Sequence, residues 1–190
     1  MGKIEIIGLN GLPEFDTSDN LSEMIFDAAL SSAEGIQSGD VIVVTQKIVS
    51  KVEGMIRDLL DIYPSSEAEE LALKLSKDPR LVQLILEQST EIVRTDFERG
   101  VLITETIHGF ICANAGIDSS NVEGETKVAL LPKDSDASAR EILNDLKRLA
   151  NVESLGVIIS DTFGRPWSCL LYTSDAADEG LGVDLGGRRI

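Results

Sequence analysis

The apolar residues of this chain follow two different periods, which predict helices and strands in alternation. Apolar positions at helical spacing follow capping signals at Asn20, Ser66 and Asp78–Pro79, and a further helix is predicted over Ala137–Ala150. Gly35 stands where the first of these helices should end. Runs rich in β-branched residues predict strands at Ile4–Ile7, Val41–Thr45, Glu91–Thr95, Val101–Thr106, Phe110–Ala113, Lys127–Leu131 and Leu155–Ser160.

The order of these elements predicts an α+β (mixed α/β) fold, with helices packed on a mixed sheet. The Asp96–Gly100 loop joins two of the strands into a β-hairpin, whereas other strands are separated by a helix. Val41–Thr45 is a continuous apolar run of the kind found in buried strands. No linker-like change of composition divides residues 1–167, which are enough for one domain or two small units sharing a core.

Residues 168–190 differ in character from the rest and are expected to be a non-native tail. Codons can be chosen for two segments of this tail so that the DNA resembles an adapter and a primer used in library sequencing. The segments are Cys169–Glu179 (CLLYTSDAADE) and Val183–Ile190 (VDLGGRRI), respectively. The alternative is a genuine polar, Gly-rich extension. If residues 1–167 are an incomplete domain, Val157–Ser160 should leave an unpaired edge or an uncovered apolar face.

Charge and cysteine content exclude several classes of function. The formal net charge of −16 at pH 7 repels phosphate backbones and anionic lipids, so neither a nucleic acid nor a membrane is an expected partner. No apolar run approaches the roughly 20 residues of a membrane span. Cys112 is the one cysteine within residues 1–167, which fits a protein of the reducing cytoplasm.

Polar residues follow three of the predicted strands, where ligands of α/β proteins usually bind. Lys47 and Lys51 could hold phosphate if their segment is helical, because they would then share a face; solvated lysines are the alternative. Asp118, Asp161 and Thr162 offer the hard oxygen ligands that Mg²⁺ or Mn²⁺ prefers, although loop aspartates are also common turn formers.

Other polar positions leave two interpretations open. Gly8, Gly11 and Pro13 could form a backbone cradle for a nucleotide or a simple turn. His108 is interpreted as a hydrogen-bonded structural histidine, with a catalytic role as the alternative, and Cys112 as a core residue. Neither a P-loop nor a G-x-G-x-x-G motif precedes Trp167.

Six segments together resemble the F420-0 gamma-glutamyl ligase family, the coenzyme F420:L-glutamate ligases. They are Gly11–Phe15 (GLPEF), Gly39–Gly54, Lys77–Ser89, Ile103–Val122, Leu130–Arg140 and Val157–Trp167. They occur in the same order along residues 4–167, and several are long enough to be specific. The resemblance implies GTP-dependent ligation of L-glutamate to coenzyme F420-0 through an acyl phosphate, by an intertwined homodimer with a mixed α/β fold.

The resemblance also assigns site residues. It implies that the guanine nucleotide is lined by Leu12, Pro13, Glu14, Phe15, Gln46, Lys47, Lys51 and Asn121. It implies that Mg²⁺ or Mn²⁺ is held by Asp118, Asp161 and Thr162. Gln46 stands where serine is usual in similar sequences, so a backbone contact is the one expected to survive there. No general base is identified.

Two alternatives to a ligase stay open at this point. The chain could be a non-catalytic module that binds metal with GTP or GDP. It could also be the N-terminal part of a fusion between a ligase and a flavin-dependent reductase.

Overall fold

The computed structural model describes residues 4–32, 34–119 and 126–161. Within these ranges the chain forms two compact units. The first contains Ala129–Asp161 together with the residues up to Ile56, and the second contains Arg57–Val128. Helices occur together with parallel and antiparallel strand pairs, so the predicted α+β fold class is confirmed.

The α-helices of the described ranges are α1 (Leu21–Ser32), α2 (Gln46–Val52), α3 (Ser66–Leu75), α4 (Pro79–Glu87) and α5 (Ser135–Ala150). The strands are β1 (Val41–Thr45), β2 (Ile56–Asp58), β3 (Ser89–Asp96), β4 (Val101–Thr106), β5 (Ile111–Ala113), β6 (Lys127–Ala129) and β7 (Gly156–Ser160). Single 3₁₀ turns lie at Leu59–Asp61 and Asn114–Gly116. None of the helices in these ranges has the length and apolar composition that a membrane crossing requires.

Side-chain caps begin the helices close to the predicted positions. Asn20 Oδ1 accepts a hydrogen bond from the backbone N–H of Glu23, and Asp78 Oδ1 accepts one from that of Arg80, as predicted for α1 and α4. Helix α3 begins at Ser66, as predicted, although the side chain that caps it is that of Ser65, whose Oγ accepts from the backbone N–H of Ala68. The predicted start of α5 at Ala137 is two residues late, because the Asp134 side chain caps this helix and Ser135 is its first residue.

The parallel pair β1–β7 covers the first unit's core with one face only. Its register places Val43 opposite Ile158. Both of these side chains are exposed, by 63% and 52%, whereas Val44 is buried. The prediction of a strand buried on both faces is therefore wrong for β1. The expected uncovered apolar face beside β7 is confirmed within the described residues.

The core of the first unit is built by α1, α2 and α5 packing against the inner face of β1–β7. Its buried members include Phe15, Ile25, Val44, Val49 and Leu146. Phe15 lies in the loop before α1, and its burial anchors that loop to this core. The burial of these side chains is the main source of stability for the unit.

The second unit contains the antiparallel sheet β3–β4–β5 and the helices α3 and α4. The predicted β-hairpin is confirmed, although its first strand is longer than Glu91–Thr95. The strand predicted at Phe110–Ala113 begins one residue later, and the one predicted at Lys127–Leu131 ends at Ala129. Leu75, Ile85, Leu102 and Ala115 form one buried cluster of this unit.

The strand predicted at Ile4–Ile7 is wrong. The segment has no regular secondary structure, and Ile4 and Ile6 are 90% and 94% exposed. A β-rich run becomes a strand only where a partner strand accepts its hydrogen bonds, and the described residues provide none there. Conversely, α2 and β2 were not predicted, because polar residues interrupt their apolar patterns.

Replacement of Gly100 by alanine should destabilise the second unit. Gly100 has φ = +64°, and a Cβ built there would lie 2.8 Å from the carbonyl oxygen of Leu75. We expect Gly100→Ala to lower the free energy of unfolding by about 2 kcal/mol or more, measured by chemical denaturation. Gly109→Ala is the matched control, because φ is +83° but the space is open, so about 1 kcal/mol is expected. Equal losses would contradict this account.

Candidate functional site

The two lysines predicted to bind phosphate lie on one helix face. Helix α2 starts at Gln46, directly after the last residue of β1. Lys47 and Lys51 are four residues apart in it, so the helical condition that the sequence left open is met. Both side chains are partly buried. The arrangement can present two positive charges together in a chain whose net charge is strongly negative.

A buried hydrogen-bond network fixes helix α2 on its other side. Gln46 Nε2 donates to Ser50 Oγ at 2.6 Å and to the carbonyl oxygen of Leu130 at 3.1 Å. Ser50 Oγ donates to the same carbonyl at 2.6 Å, and Ser50 is fully buried. The Gln46 side chain is therefore engaged in hydrogen bonds inside the protein. Only the backbone of Gln46 is left to contact a nucleotide, which is the kind of contact expected from the sequence. Ser50 was not singled out in the sequence, because a serine between Val49 and Lys51 gives no sign that its hydroxyl is buried and hydrogen-bonded.

An ion pair joins the loop before α1 to helix α2. Lys51 Nζ lies 2.5 Å from Glu14 Oε2, with the Lys51 side chain 13% exposed and the Glu14 side chain 87% exposed. The Lys51 ammonium lowers the pKa of the Glu14 carboxyl below its usual range, through their hydrogen bond and then through its charge. Two segments predicted to line one nucleotide are therefore in contact.

The other residues of the predicted loop divide between core and solvent. Phe15 is buried and Leu12 packs against the same core, whereas Pro13 is exposed. Just beyond them, Asp16 Oδ1 accepts hydrogen bonds from the backbone N–H and the hydroxyl of Ser18, at 2.7 and 2.6 Å. These bonds lower the pKa of Asp16. The loop is thus anchored by apolar contacts and closed by a local turn.

The predicted metal ligands are described only in part. Asp161 ends the described portion of the first unit, directly after β7, and Asp118 belongs to the second unit. Thr162, and Asn121 of the nucleotide set, lie outside the described residues. Among the residues that are described, no three His, Cys, Asp or Glu side chains converge as a metal site. The carboxylates of Asp118 and Asp161 nevertheless fit Mg²⁺ or Mn²⁺ by donor chemistry.

A cavity of about 380 Å³ in the first unit is unsuited to phosphate. Its lining includes the carboxylates of Asp19, Glu53, Glu141 and Asp145, above an apolar floor. None of the predicted nucleotide-binding residues lines it. Because four acidic side chains repel an anion, this cavity does not compete with the Lys51 region as a nucleotide site.

His108 does not have the hydrogen bonds expected of a structural histidine. Both ring nitrogens are buried, and neither has a partner within the described residues. The ring is stacked near that of Phe110, with 6.4 Å between the centroids. The interpretation of His108 as a hydrogen-bonded structural residue is therefore wrong for the part of the chain that the structure describes. Cys112 is buried, as predicted.

Comparison with known proteins decides the family. The family model for F420-0:Gamma-glutamyl ligase matches residues 11–177. The chain belongs to the F420-0:gamma-glutamyl ligase family. The resemblance seen in the sequence is thereby confirmed. The match continues past Trp167, and the boundary between domain and tail at residue 167 stays a prediction.

Curated members of this ligase family align with most of the chain. It is 44% identical over 164 residues to the coenzyme F420:L-glutamate ligase of Methanothermobacter thermautotrophicus, covering 86% of this chain and 64% of the relative. It is 44% identical over 167 residues to that of Methanocaldococcus jannaschii, covering 87% and 62%. For Archaeoglobus fulgidus the values are 39% over 163 residues, covering 86% and 61%. The chain thus spans 61–64% of the length of these ligases.

Removal of the Lys51 charge should return the pKa of Glu14 to the usual glutamate range. Because this pKa is lowered, the ion pair stabilises the folded chain above the usual glutamate pKa, and the contribution is lost as pH falls through the lowered value. NMR titration of the Glu14 carboxyl carbon between about pH 7 and pH 2.5 should therefore give a higher midpoint in Lys51→Gln than in the parent. Lys74→Gln, which removes a lysine from α3, should leave the midpoint unchanged. Equal midpoints in parent and Lys51→Gln would contradict the ion pair.

Proposed function

We propose that the whole protein ligates L-glutamate to coenzyme F420-0 in a GTP-dependent reaction. The relatives are named coenzyme F420:L-glutamate ligases, which supplies the two substrates. The observation that carries the nucleotide part is the contact between Glu14 and Lys51, which are 37 residues apart in sequence. It brings together the loop and the helix that the resemblance assigns to one guanine nucleotide.

The chemistry explains why a nucleoside triphosphate is needed. A carboxylate is a poor acceptor for an amine, because an oxide or hydroxide would have to leave. Transfer of the γ-phosphoryl group of GTP to a carboxylate oxygen of F420-0 gives an acyl phosphate and GDP. The glutamate amine then attacks the acyl carbon, a C–N bond forms, the C–O bond to phosphate breaks, and the amine loses a proton.

Lys51 is the residue that we assign to the β- and γ-phosphates. Bringing a phosphate near a carboxylate is opposed mainly by charge repulsion, which a fixed ammonium reduces. The Lys51 side chain is largely withdrawn from water, so its charge is weakly screened, and its present partner is the anion Glu14. A phosphate oxygen can take the place of that carboxylate. Lys47, one turn earlier on the same face, is the second candidate.

Asp118, Asp161 and Thr162 would hold Mg²⁺ or Mn²⁺. When bound, such an ion supplies positive charge to the phosphate oxygens. The two carboxylates contribute negative charge and hard oxygen donors, which is the combination that these cations select over the softer metals. The buried thiol of Cys112 fits a reducing cytoplasm as the place of the reaction.

We further propose that the whole protein acts as a homodimer. Strand β3 is an edge strand of the described sheet, and its apolar residues Ile92 and Val93 are 42% and 45% exposed. Phe97, in the loop that follows, is 49% exposed. Exposed apolar side chains on an edge strand favour contact with a further polypeptide, and a second copy is the partner that the resemblance implies.

Mass spectrometry separates a ligase from a nucleotide-binding module. The protein is incubated with F420-0, L-glutamate, GTP and Mg²⁺, and the deazaflavin product is analysed. A mass increase of one glutamate residue, dependent on GTP, supports the ligase. Binding of GTP without any such product supports the non-catalytic module instead.

Loss of the Lys51 ammonium should weaken nucleotide binding. We expect Lys51→Gln to lower the affinity for Mg²⁺–GTP by about ten-fold or more, measured by calorimetric titration, because one charge-assisted contact to phosphate is lost. Lys74→Gln removes the same charge from exposed α3 and should bind within about two-fold of the parent. If both variants lose affinity equally, the effect is one of net charge and the assignment of Lys51 fails.

Neutralisation of Asp161 should make nucleotide binding insensitive to the metal. In the parent, added Mg²⁺ should strengthen GTP binding, and in Asp161→Asn this gain should fall by about ten-fold. Asp136→Asn, at an exposed position of α5, is the charge-matched control. An unchanged response to Mg²⁺ in Asp161→Asn would refute the role of Asp161 as a ligand.

A further inference from the structure

Basic and apolar side chains meet in a cavity of the second unit. The cavity has a volume of about 310 Å³ and lies between the end of helix α3 and the loop that joins β3 to β4. Lys77 and Arg99 line it together with Leu75 and Phe97, and Glu98 is the acidic residue of the described lining. The lining therefore has two positive charges and one negative charge, whereas the whole chain has a net charge of −16. A cavity with an excess of positive charge in so acidic a chain is suited to an anion.

The end of helix α3 fixes the backbone of Lys77. Ser76 ends the helix in the left-handed conformation, with φ = +53°. The backbone N–H of Lys77 donates to the carbonyl oxygen of Ala72 at 3.0 Å. Asp78 follows directly and caps helix α4. Because Lys77 lies between two capped helix ends, its backbone is held in one place beside the cavity.

The carboxylates that neighbour these basic residues in sequence are engaged elsewhere. Asp78 Oδ2 lies 2.6 Å from Nη2 of Arg80, so this carboxylate pairs with Arg80. Asp96 Oδ1 accepts a hydrogen bond from the backbone N–H of Arg99 at 3.1 Å, which closes the loop without engaging the guanidinium. Within the described ranges, neither Lys77 nor Arg99 takes part in a side-chain ion pair. Both charges are therefore available to an anionic ligand.

A close backbone contact holds the loop that carries Arg99 against the helix end. Gly100 approaches the carbonyl oxygen of Leu75 so closely that a Cβ would lie only 2.8 Å from it. The Leu75 side chain is buried in the core cluster that also contains Ile85 and Leu102. The apolar part of the cavity is thus part of a packed core. Phe97, in the same loop, is 49% exposed, so part of its ring is free to contact a ligand.

These side chains define the class of ligand. An ammonium and a guanidinium attract carboxylates and phosphates, and a guanidinium also stacks on aromatic rings. A phenylalanine ring packs favourably against another planar ring. The ligand should therefore combine a planar aromatic system with negative charge. A volume of about 310 Å³ is at the lower end of the roughly 300–1,000 Å³ of ligand pockets, so the cavity can hold one end of a long molecule.

We propose that this cavity binds coenzyme F420-0 by its deazaflavin end. The inference rests on the proposed function, which makes F420-0 a substrate; this molecule combines a planar ring with an acidic side chain. The ring is assigned to Phe97 and Leu75, and the acidic side chain to Lys77 and Arg99. The acidic cavity of the first unit repels the same molecule, because four carboxylates line it.

Removal of both basic side chains should abolish the preference for the acidic substrate. Binding of F420-0 is followed by deazaflavin fluorescence in the presence of Mg²⁺ and GDP, and compared with binding of the deazaflavin alcohol that lacks the acidic side chain. The parent should bind F420-0 about ten-fold or more tightly than the alcohol. Lys77→Gln/Arg99→Gln should bind both ligands equally. Lys74→Gln/Arg94→Gln removes the same charges from exposed positions outside the cavity lining and should keep the preference.

Phe97→Leu tests the contact with the ring. Because leucine keeps an apolar side chain but offers no aromatic face, this variant should bind F420-0 and the alcohol about five-fold more weakly, to the same extent for both. GDP affinity should stay unchanged. Sedimentation of the same variant shows whether Phe97 instead contacts a second copy of the chain. A changed oligomeric state with unchanged affinity for both deazaflavins would overturn the assignment of the ring.

The outcomes are distinguishable from failure of the proposed function. If the parent does not bind F420-0, or if Lys77→Gln/Arg99→Gln keeps the preference for F420-0, the inference is wrong. In the second case, GTP-dependent ligation by the parent would still support the proposed function. If the preference depends on Lys77 and Arg99 but no GTP-dependent product forms, the binding site stands and the ligase assignment fails.

Discussion

The hydrogen bonds from Gln46 and Ser50 to the carbonyl oxygen of Leu130 are the contact on which the proposed nucleotide site depends. They join the start of helix α2 to a chain segment 80 or more residues away, and both donors are buried. Backbone bonds from Met55 N–H to Ser50 and from Leu130 N–H to Met55 extend the same connection. Because these groups are sequestered from water, loss of one leaves the others unsatisfied. Helix α2 is therefore held in a fixed place by these hydrogen bonds, and this also fixes where Lys47 and Lys51 lie.

Lys47 and Lys51 matter because the rest of the chain is strongly negative. A chain with a net charge of −16 binds a nucleoside triphosphate only where local positive charge exceeds the general repulsion. The acidic cavity beside α5 illustrates the opposite case, since its carboxylates exclude phosphate. At Lys51 the ammonium is partly withdrawn from water and already holds a carboxylate oxygen. The attraction to Lys51 that lowers the pKa of the Glu14 carboxyl would attract a phosphate group in the same way.

Much of the fold was predictable because its signals are local. The caps at Asn20 and Asp78 and the apolar run of β1 are encoded within a few residues, and the structure confirms them. Ile4–Ile7 has an equally local strand signal, but a strand also needs a partner, which local sequence does not reveal. Helix α2 was missed for the opposite reason, since its burial pattern of Gln46, Val49 and Ser50 includes two polar side chains that only a distant carbonyl satisfies. The missing hydrogen bonds of His108 were likewise not predictable, because whether a buried atom finds a partner among the described residues is a property of the folded chain.

The most direct test of this account is a map of the residues that respond to Mg²⁺–GTP in the ¹⁵N-labelled chain. If helix α2 is held by its buried contact so that Lys51 faces a nucleotide, backbone amide shifts should be concentrated in residues 11–15 and 46–51. Residues around the acidic cavity, such as Glu141 and Asp145, should not respond. Shifts concentrated at that cavity, or no shifts at saturating nucleotide, would contradict the assignment of the site.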